Sequence, residues 1–342
     1  MKINHNRSSV TRRDYVKYAG AASAAAMTGL AGCSGGGDGE YPNEDITYII
    51  PFSEGGGTDT YARQFISHMA DELGTSIAIE NVPGAASLRG TGRLYNADPD
   101  GYTIGGFNPP STPVSAMVNQ PEYDMTDLEG VGTYARTPFV IVANPTYEIE
   151  DFDDLLSRYA DGELEIFSGK ERGGVDHVLA LLMQENDNYD FQWDRYVGYD
   201  GTGPAVQATI SDEVPAAIAT DTGAAGAVED DRLDVIACLS SQGSQVFPDI
   251  PSTTDLGYDN IDFLGQLVRG IYAPEGTSED QIEVLTEALE AALQTDEVQS
   301  WSEETGNVVE YGGPESASDA VADAFEQIPE QVDLEAVREA AN

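Results

Sequence analysis

Residues 51–59 read Pro51-Phe52-Ser53-Glu54-Gly55-Gly56-Gly57-Thr58-Asp59. The apolar run before them, residues 46–50, predicts a buried strand, and apolar residues recur at helical spacing from residue 60 to 73. A helix N-terminus attracts anions because its first amides lack partners and its dipole is positive there. Glycines allow a ligand to approach the main chain closely. The segment therefore predicts either an anion cradle or an ordinary turn with Asp59 as the N-cap.

Length and charge limit the classes of protein to which the chain can belong. Its 342 residues exceed the usual size of a single core, so two domains are expected. The 61 acidic residues against 16 Lys and Arg give a net charge of −45, which excludes nucleic acid as a partner. Because the acidity is dispersed and lysine is scarce, the composition also predicts adaptation to high salt, which screens self-repulsion.

The N-terminal residues have the pattern of an export signal. A twin arginine, Arg12-Arg13, precedes an alanine-rich run over residues 19–32 that is too short to span a bilayer. Small residues then come directly before Cys33, so residues 1–33 predict a twin-arginine lipoprotein signal with the lipid on Cys33. A structural helix is the alternative, but the run lacks amphipathic spacing. Residues 34–44 predict a flexible tether that holds the protein at the outer face of the cytoplasmic membrane.

The succession of strand, glycine-rich loop and helix is repeated later in the chain. It recurs around Ser168–Gly174 and again around Asp200–Pro204. Alternating strands and helices predict α/β layers with largely parallel sheets. The expected fold has two lobes, residues 45–145 with 268–342 and residues 146–267, with hinges near 144–150 and 270–278. Loops at the carboxyl ends of the strands would then face each other across a ligand crevice.

Most catalytic motifs are missing from the sequence. It has no phosphate-binding GxxxxGK[ST] loop, no GxGxxG after a strand, no GxSxG and no CxxC, and its three histidines make a zinc site improbable. We therefore predict no metal and no cofactor. Asp176-His177 with Ser168 or Ser53 leaves open a secreted hydrolase of the Ser/His type.

Hydrogen-bond donors that suit a carboxylate or phosphate are abundant in the three loops. The cations nearest the predicted loops and strand crossings are Arg136, Lys170, Arg172 and Arg269. Of these four, Arg269 is the most favoured as a ligand contact.

Several stretches resemble the substrate-binding proteins of tripartite tricarboxylate transporters, the Bug-type family. They are, in chain order, residues 49–63, Glu80-Asn81-Val82-Pro83-Gly84-Ala85, Asp98-Pro99-Asp100-Gly101-Tyr102-Thr103, Gly173-Gly174-Val175-Asp176-His177, Tyr199–Pro204 and Val268–Gly276. The resemblance implies an α/β periplasmic-binding-protein fold of type II that closes on a small carboxylate. It also implies a monomeric receptor, not an enzyme, that delivers its ligand to the membrane subunits of a transporter. A sensory receptor for carboxylates is a further alternative.

The resemblance and the loop pattern together predict the ligand contacts. They are Phe52, Ser53, Gly55, Gly56, Gly57, Thr58, Asp59, Ser87, Asn108, Ser168, Gly169, Lys170, Asp176, Thr202, Gly203, Thr220, Asp221 and Arg269. Glu54 departs from the family pattern and would repel an anion, so we expect it to point away from the crevice. Glu171 and Asp200 raise the same difficulty.

Overall fold

The computed structural model describes residues 41–341. The predicted signal, Cys33 and the first part of the predicted tether lie outside these residues. Nine strands within the described range are β1 Ile46–Ile50, β2 Ile77–Asn81, β3 Thr103–Phe107, β4 Glu129–Ala143, β5 Ile166–Lys170, β6 Arg195–Tyr199, β7 Ala216–Thr220, β8 Asp234–Cys238 and β9 Gln266–Ala273. The helices there are α1 Gly57–Leu73, α2 Leu88–Tyr95, α3 Ser111–Asn119, α4 Phe152–Ala160, α5 Val175–Glu185, α6 Thr202–Ile210, α7 Asp221–Glu229, α8 Asp262–Gly265, α9 Glu279–Leu293, α10 Asp296–Thr305, α11 Pro314–Gln331 and α12 Leu334–Ala341.

The strands form one sheet in the order β2-β1-β3-β9-β4-β7-β5-β6, and β8 also pairs with β4. The outer strands are parallel, β1 with β2 and β3, and β5 with β6 and β7. The pairs that involve β4 or β9 are antiparallel, so the prediction of largely parallel sheets holds only for the outer strands. β4 pairs with β9 as far as Pro138 and with β7 from Phe139 onward, so one strand joins the two halves of the sheet. The predicted lobe boundary at residue 145 remains a prediction, although β4 changes partners seven residues earlier.

The element from β1 to α1 follows directly from its sequence. The apolar side chains of β1 are almost fully buried, and α1 buries Tyr61, Phe65 and Met69 on one face. Gly74 ends the helix at φ 67°, a left-handed conformation that glycine adopts without steric cost. α1 begins at Gly57 with Gly56 as its N-cap, so the alternative in which Asp59 is the N-cap is wrong.

Four helices do not appear in the sequence-based prediction: α3, α7, α12 and the four-residue α8. α3 follows Pro109-Pro110, and its one proline, Pro113, lies within the first turn, where the missing amide hydrogen costs nothing. α7 contains Gly223 and Gly226, which lower helix propensity and favour a loop in a purely local interpretation. α12 lies near the C-terminal end of the chain.

Two further differences concern β4 and the predicted tether. The first half of β4 contains Gly130 and Gly132, which hide the strand pattern but allow the main chain of residues 312–314 to approach closely. The predicted tether includes residues 41–44, yet Tyr41 donates a hydrogen bond to the Gly101 carbonyl at 2.7 Å and packs edge-on against Tyr102. Tyr41 is therefore docked on the domain, whereas a flexible tether over the preceding residues remains a prediction.

In the part of the chain that the structure describes, no helix combines the length and the apolar character needed to cross a membrane.

Candidate functional site

A cleft of about 1060 Å³ lies where the carboxyl ends of the outer parallel strands meet the N-termini of the following helices. One side, which we call the first wall, consists of Pro51–Thr58, Thr60, Pro83–Ser87, Asn108, Ser111 and Ser115. The opposite side, the second wall, consists of Lys170, Glu171, Gly198–Pro204, Thr220, Thr222 and Gly223. Leu267, Arg269 and Asn307 complete the lining. Crevices at this edge of α/β sheets are common ligand sites.

The glycine-rich loop of the first wall is held by the carboxylate of Asp59. This carboxylate accepts hydrogen bonds from the Gly55 amide at 2.9 Å, from Asn81 at 3.0 Å and from Arg63 at 2.8 Å. Burial opposes ionisation of Asp59, but these three donors outweigh it and hold its pKa below the usual value. Asp59 is 2% exposed and does not line the cleft. Its role is to fix the loop so that the first amides of α1 face the cleft.

Arg269 on β9 supplies a positive charge at the floor of the cleft. It is 5% exposed, and its guanidinium lies 5.2 Å from the centre of the Tyr61 ring, a cation–π distance. Its Nη1 donates to the Thr58 hydroxyl at 3.1 Å and its Nε to the Thr137 hydroxyl at 3.3 Å. No ion pair among residues 41–341 involves Arg269. A buried guanidinium without a counter-ion is costly, so this arrangement suits an anionic ligand.

Polar groups from the β2–α2 loop and from α3 extend the first wall. The Ser87 hydroxyl donates to that of Thr112 at 3.3 Å, and Ser115 donates to the Ser111 carbonyl at 3.1 Å. Ser87 has φ 76°, and two non-glycine residues before it, Ala85 and Ala86, also have positive φ. Such strain persists only where the surrounding structure enforces it, and it is concentrated at functional sites. Here the positive φ angles set the direction of three consecutive side chains of the first wall, Ala85, Ala86 and Ser87.

The second wall has a carboxylate in the same supporting role as Asp59. Asp176 is fully buried, accepts a hydrogen bond from the Lys170 amide at 2.9 Å and lies 3.4 Å from the Lys170 ammonium. Burial raises its pKa, and the charge of Lys170 opposes that rise. Lys170 lines the cleft and also lies over the Phe139 ring. Part of its charge is therefore compensated before any ligand binds.

Asp221, at the start of α7, is the third buried carboxylate beside the cleft. It is 1% exposed and accepts hydrogen bonds from Ser244 at 2.7 Å and from the Thr222 amide at 2.6 Å. Burial raises its pKa to about 6, although both hydrogen bonds and the charge of Arg269 lower it. Its neighbours Thr220 and Thr222 reach the cleft surface, but Asp221 lies behind it.

The groups that could form a Ser/His catalytic pair are engaged elsewhere. His177 is 1% exposed, and its Nδ1 accepts a hydrogen bond from the Gly173 amide at 3.0 Å. Burial lowers the pKa of His177 to about 4, so the imidazole is neutral near pH 7. Ser168 is fully buried and donates to the Ala216 carbonyl at 3.2 Å. Neither residue lines the cleft, so the geometry does not favour this pair as a catalytic centre.

The structure brings most of the predicted contacts together on the cleft surface. Those that line the cleft are Phe52, Ser53, Gly55, Gly56, Gly57, Thr58, Ser87, Asn108, Lys170, Thr202, Gly203, Thr220 and Arg269. Those that lie behind its surface are Asp59, Ser168, Gly169, Asp176 and Asp221. All five are buried, and the polar side chains of Asp59, Ser168, Asp176 and Asp221 bond to the protein's own main chain or to neighbouring side chains.

Other lining residues do not appear among the predicted contacts. Ser111 and Ser115 belong to α3, where hydroxyls four residues apart lie on the same helix face, a spacing that the sequence does contain. Asn307 lies far away in sequence and reaches the cleft because Tyr61 donates to the Val308 carbonyl at 3.1 Å. No local pattern predicts that contact.

Acidic residues are present at the edge of the cleft. Glu54, Glu171 and Asp200 are exposed and line it, and the outward direction of the Glu54 side chain remains a prediction. Water screens exposed carboxylates, which therefore oppose an anion less than buried ones would. Of the other candidate cations, Arg136 pairs with Glu310 at 3.3 Å and Arg172 donates to the Tyr196 carbonyl at 2.7 Å. Neither of these arginines lines the cleft.

Within residues 41–341, no group of three or more His, Cys, Asp or Glu side chains could hold a metal ion. Cys238 is buried in β8, where burial raises the pKa of its thiol to about 11, so the thiol is protonated at neutral pH.

Comparisons with known proteins agree with this arrangement. The model of the tripartite tricarboxylate transporter family receptor matches residues 61–324. Protein BugT of Bordetella pertussis is 28% identical over 291 residues, which cover 84% of this chain and 88% of BugT. The structure of MatC from Rhodopseudomonas palustris with bound malate has a TM-score of 0.69 and 24% identity, covering 88% of this chain and 100% of MatC. The structure of R. palustris Rpa4515 with adipate has a TM-score of 0.70 and 19% identity, covering 88% and 99%. These two structures share the fold of this chain.

Proposed function

Because this chain belongs to the tripartite tricarboxylate transporter receptor family, we propose that it captures a small carboxylate outside the cytoplasmic membrane and delivers it to the membrane subunits of such a transporter. The observation that carries this proposal is the buried guanidinium of Arg269 at the floor of a cleft rich in helix N-termini. Both features favour negative charge. MatC and Rpa4515 have the same fold, and their structures contain malate and adipate.

Capture requires donors from both walls of the cleft. The amides and hydroxyls of the first wall face Lys170, Thr202 and Thr220 of the second wall across a space of about 1060 Å³. That volume is at the upper end for a small-molecule site, so a small organic acid would fill only part of the cleft in this conformation. We propose that the two lobes predicted from the sequence close on the ligand by hinge motion.

The family is one of receptors, and we propose that this chain is not an enzyme. The buried, hydrogen-bonded states of Ser168 and His177 support this view. A catalytic serine needs its hydroxyl within hydrogen-bond reach of the base and open to the substrate. Incubation of the protein with chromogenic esters should release no more product than the His177→Ala variant does.

We also propose that residues 1–33 are a twin-arginine lipoprotein signal and that the mature protein is anchored, as a monomer, through a lipid on Cys33. The support is the sequence pattern alone. Mass spectrometry of the N-terminal peptide should find a lipid on Cys33, and Cys33→Ala should move the protein from the membrane fraction into the medium. A Cys33→Ala protein that stays in the membrane fraction would contradict the anchor.

Ligand capture can be tested by thermal unfolding in 2 M NaCl with malate, succinate, adipate and citrate as separate additives. A ligand at about 100 times its Kd stabilises the folded state by about 2.7 kcal/mol, which raises Tm by several degrees. Tricarballylamide, a neutral triamide, serves as the control and should leave Tm unchanged. If none of the four acids raises Tm, the proposed function is wrong.

A further inference from the structure

Asn307, in the loop between α10 and α11, lines the cleft with a side-chain amide whose orientation is fixed. Its Nδ2 donates to the Thr305 hydroxyl oxygen at 2.9 Å. The proton of that hydroxyl is already used, because Thr305 donates to the Trp301 carbonyl at 2.7 Å. The Thr305 oxygen can therefore only accept, so the nitrogen of the Asn307 amide faces it. Asn307 Oδ1 is then the side of the amide that is left for another partner.

The loop that carries Asn307 is held in place on both sides of this residue. Gly306 ends α10 in the left-handed conformation, at φ 68°. The Val308 carbonyl accepts a hydrogen bond from the Tyr61 hydroxyl of α1 at 3.1 Å. The same Tyr61 ring carries the Arg269 guanidinium on its face, so the loop lies one aromatic side chain away from the buried cation of the cleft floor.

Asn307 Oδ1 differs from the other side-chain acceptors of the cleft lining. It belongs to a half-buried residue, has no hydrogen-bond partner among the described residues and is not fully enclosed. The oxygen of Asn108, the other amide of the lining, also lacks a partner but is fully enclosed by protein. Glu54, Glu171 and Asp200 are exposed at the edge, where water solvates them. The hydroxyls of the walls can rotate and donate, whereas an amide oxygen can only accept.

We propose that Asn307 Oδ1 accepts a hydrogen bond from a hydroxyl group of the ligand, so that the ligand class is the hydroxycarboxylic acids. The inference rests on the proposed function, since it requires a carboxylate in this cleft. An ionised carboxylate has no proton to donate. When the lobes close and Oδ1 loses its water, a plain dicarboxylate leaves this acceptor unpaired, whereas a hydroxy acid satisfies it. The nearby charge of Arg269 opposes an ammonium group as the donor, which leaves the neutral hydroxyl.

The test compares ligands that differ in one group, by isothermal titration calorimetry in 2 M NaCl. Malate and succinate differ by one hydroxyl, and so do citrate and tricarballylate; both enantiomers of malate are measured. In each pair that the wild type binds, we expect the hydroxy acid to bind about fivefold more tightly or better. Aspartate, which has an ammonium group in place of the hydroxyl of malate, should bind more weakly than the tighter malate enantiomer.

Variants at residue 307 assign the preference to this side chain. Asn307→Leu removes the acceptor at similar volume and should reduce the preference within each pair to about twofold or less, without weakening the binding of succinate or tricarballylate. Asn307→Asp keeps an oxygen in place and should keep the preference, although its charge weakens the binding of every acid. Asn96→Leu is the matched control, because Asn96 Nδ2 also donates to a protein oxygen, the Gly92 carbonyl, and Asn96 does not line the cleft. Each variant's Tm without ligand shows whether it folds.

Equal affinities within the pairs that the wild type binds would overturn the inference, as would aspartate binding more tightly than malate. An Asn307→Leu variant that loses affinity equally for both members of a pair would also overturn it, because that result indicates a structural role alone. A wild type that binds adipate and none of the hydroxy acids would overturn the ligand class and leave the proposed function intact. Failure of the wild type to bind any of these acids would instead overturn the proposed function.

Discussion

The buried carboxyl group of Asp221 makes the stability of this protein depend on pH in a way that a single substitution can remove. Asp221 is 1% exposed, and burial raises its pKa to about 6 from an ordinary value of 3.8. A carboxyl whose folded pKa is raised destabilises the fold when it is ionised. Its contribution to stability is therefore least favourable above pH 6 and recovers as the pH falls toward the unfolded pKa.

The size of the effect follows from linkage. A difference of about two pH units between the folded and unfolded pKa values, at about 1.36 kcal/mol each, corresponds to a cost of about 3 kcal/mol at pH 7.5. Roughly 1.4 kcal/mol of that cost disappears between pH 7.5 and pH 5.0. Asp221→Asn keeps the shape and the acceptor oxygen for the Thr222 amide, replaces the oxygen that accepts from Ser244 by an amide nitrogen, and cannot ionise. The variant should be more stable than the wild type at pH 7.5, and the difference should shrink on acidification.

Urea denaturation of both proteins at pH 7.5, 6.5, 5.5 and 5.0 in constant salt measures this difference. The many other carboxylates titrate in both proteins, so subtraction removes their contribution. Circular dichroism without urea confirms that the variant has the native secondary structure. A stability difference that stays constant across the four pH values would refute the argument that Asp221 is a buried acid with a raised pKa.

Three other predictions follow from the cleft and the composition. Gly57→Ala should lower malate affinity about tenfold in calorimetry, because the added Cβ would be 2.8 Å from Arg269 Nη2. The control variant Gly226→Ala has open space around its added Cβ and should leave affinity unchanged. Equal affinities of the two variants would contradict this prediction. Asp59→Asn should lower the free energy of unfolding in urea by roughly 1–3 kcal/mol, because it loses the charge-assisted hydrogen bonds from Arg63 and the Gly55 amide. An unchanged urea midpoint would show that these hydrogen bonds contribute nothing to stability. The wild-type Tm should rise between 0.1 and 2 M NaCl because salt screens a net charge of −45, and a flat profile would count against salt adaptation.

Local sequence patterns located the loops of the cleft well. The glycine-rich segments at residues 51–59 and 200–204 line it, and the segment at 168–174 contributes Lys170 and Glu171. This success has a local cause, since glycine and proline impose turns wherever they occur between a strand and a helix. The family resemblance implied the family and the fold. The matching family model confirms the family, and the structure of MatC shares the fold.

The direction in which each loop side chain points could not be read from the same patterns. Asp59 turns away from the cleft because Asn81, on the next strand, and the Gly55 amide offer it donors. Asp176 turns inward for the Lys170 amide in the same way. These partners meet only after the strands have paired, so the choice between a ligand contact and a supporting role depends on tertiary contacts. Asn307 reaches the cleft for the same reason.

The inward orientation of these carboxylates also explains how so acidic a chain can bind an anion. Asp59, Asp176 and Asp221 lie nearest the floor of the cleft, and each is surrounded by amides, hydroxyls or a cation of the protein itself. Asp59 and Asp176 each pair with a cation, Arg63 and Lys170, whereas Arg269 has hydroxyl partners and no ion pair in the described residues. The exposed acids at the edge are screened by solvent and salt. The cleft thus contains a guanidinium without an ion pair although the chain as a whole is strongly negative, and high salt would weaken the opposing long-range field more than the buried contact.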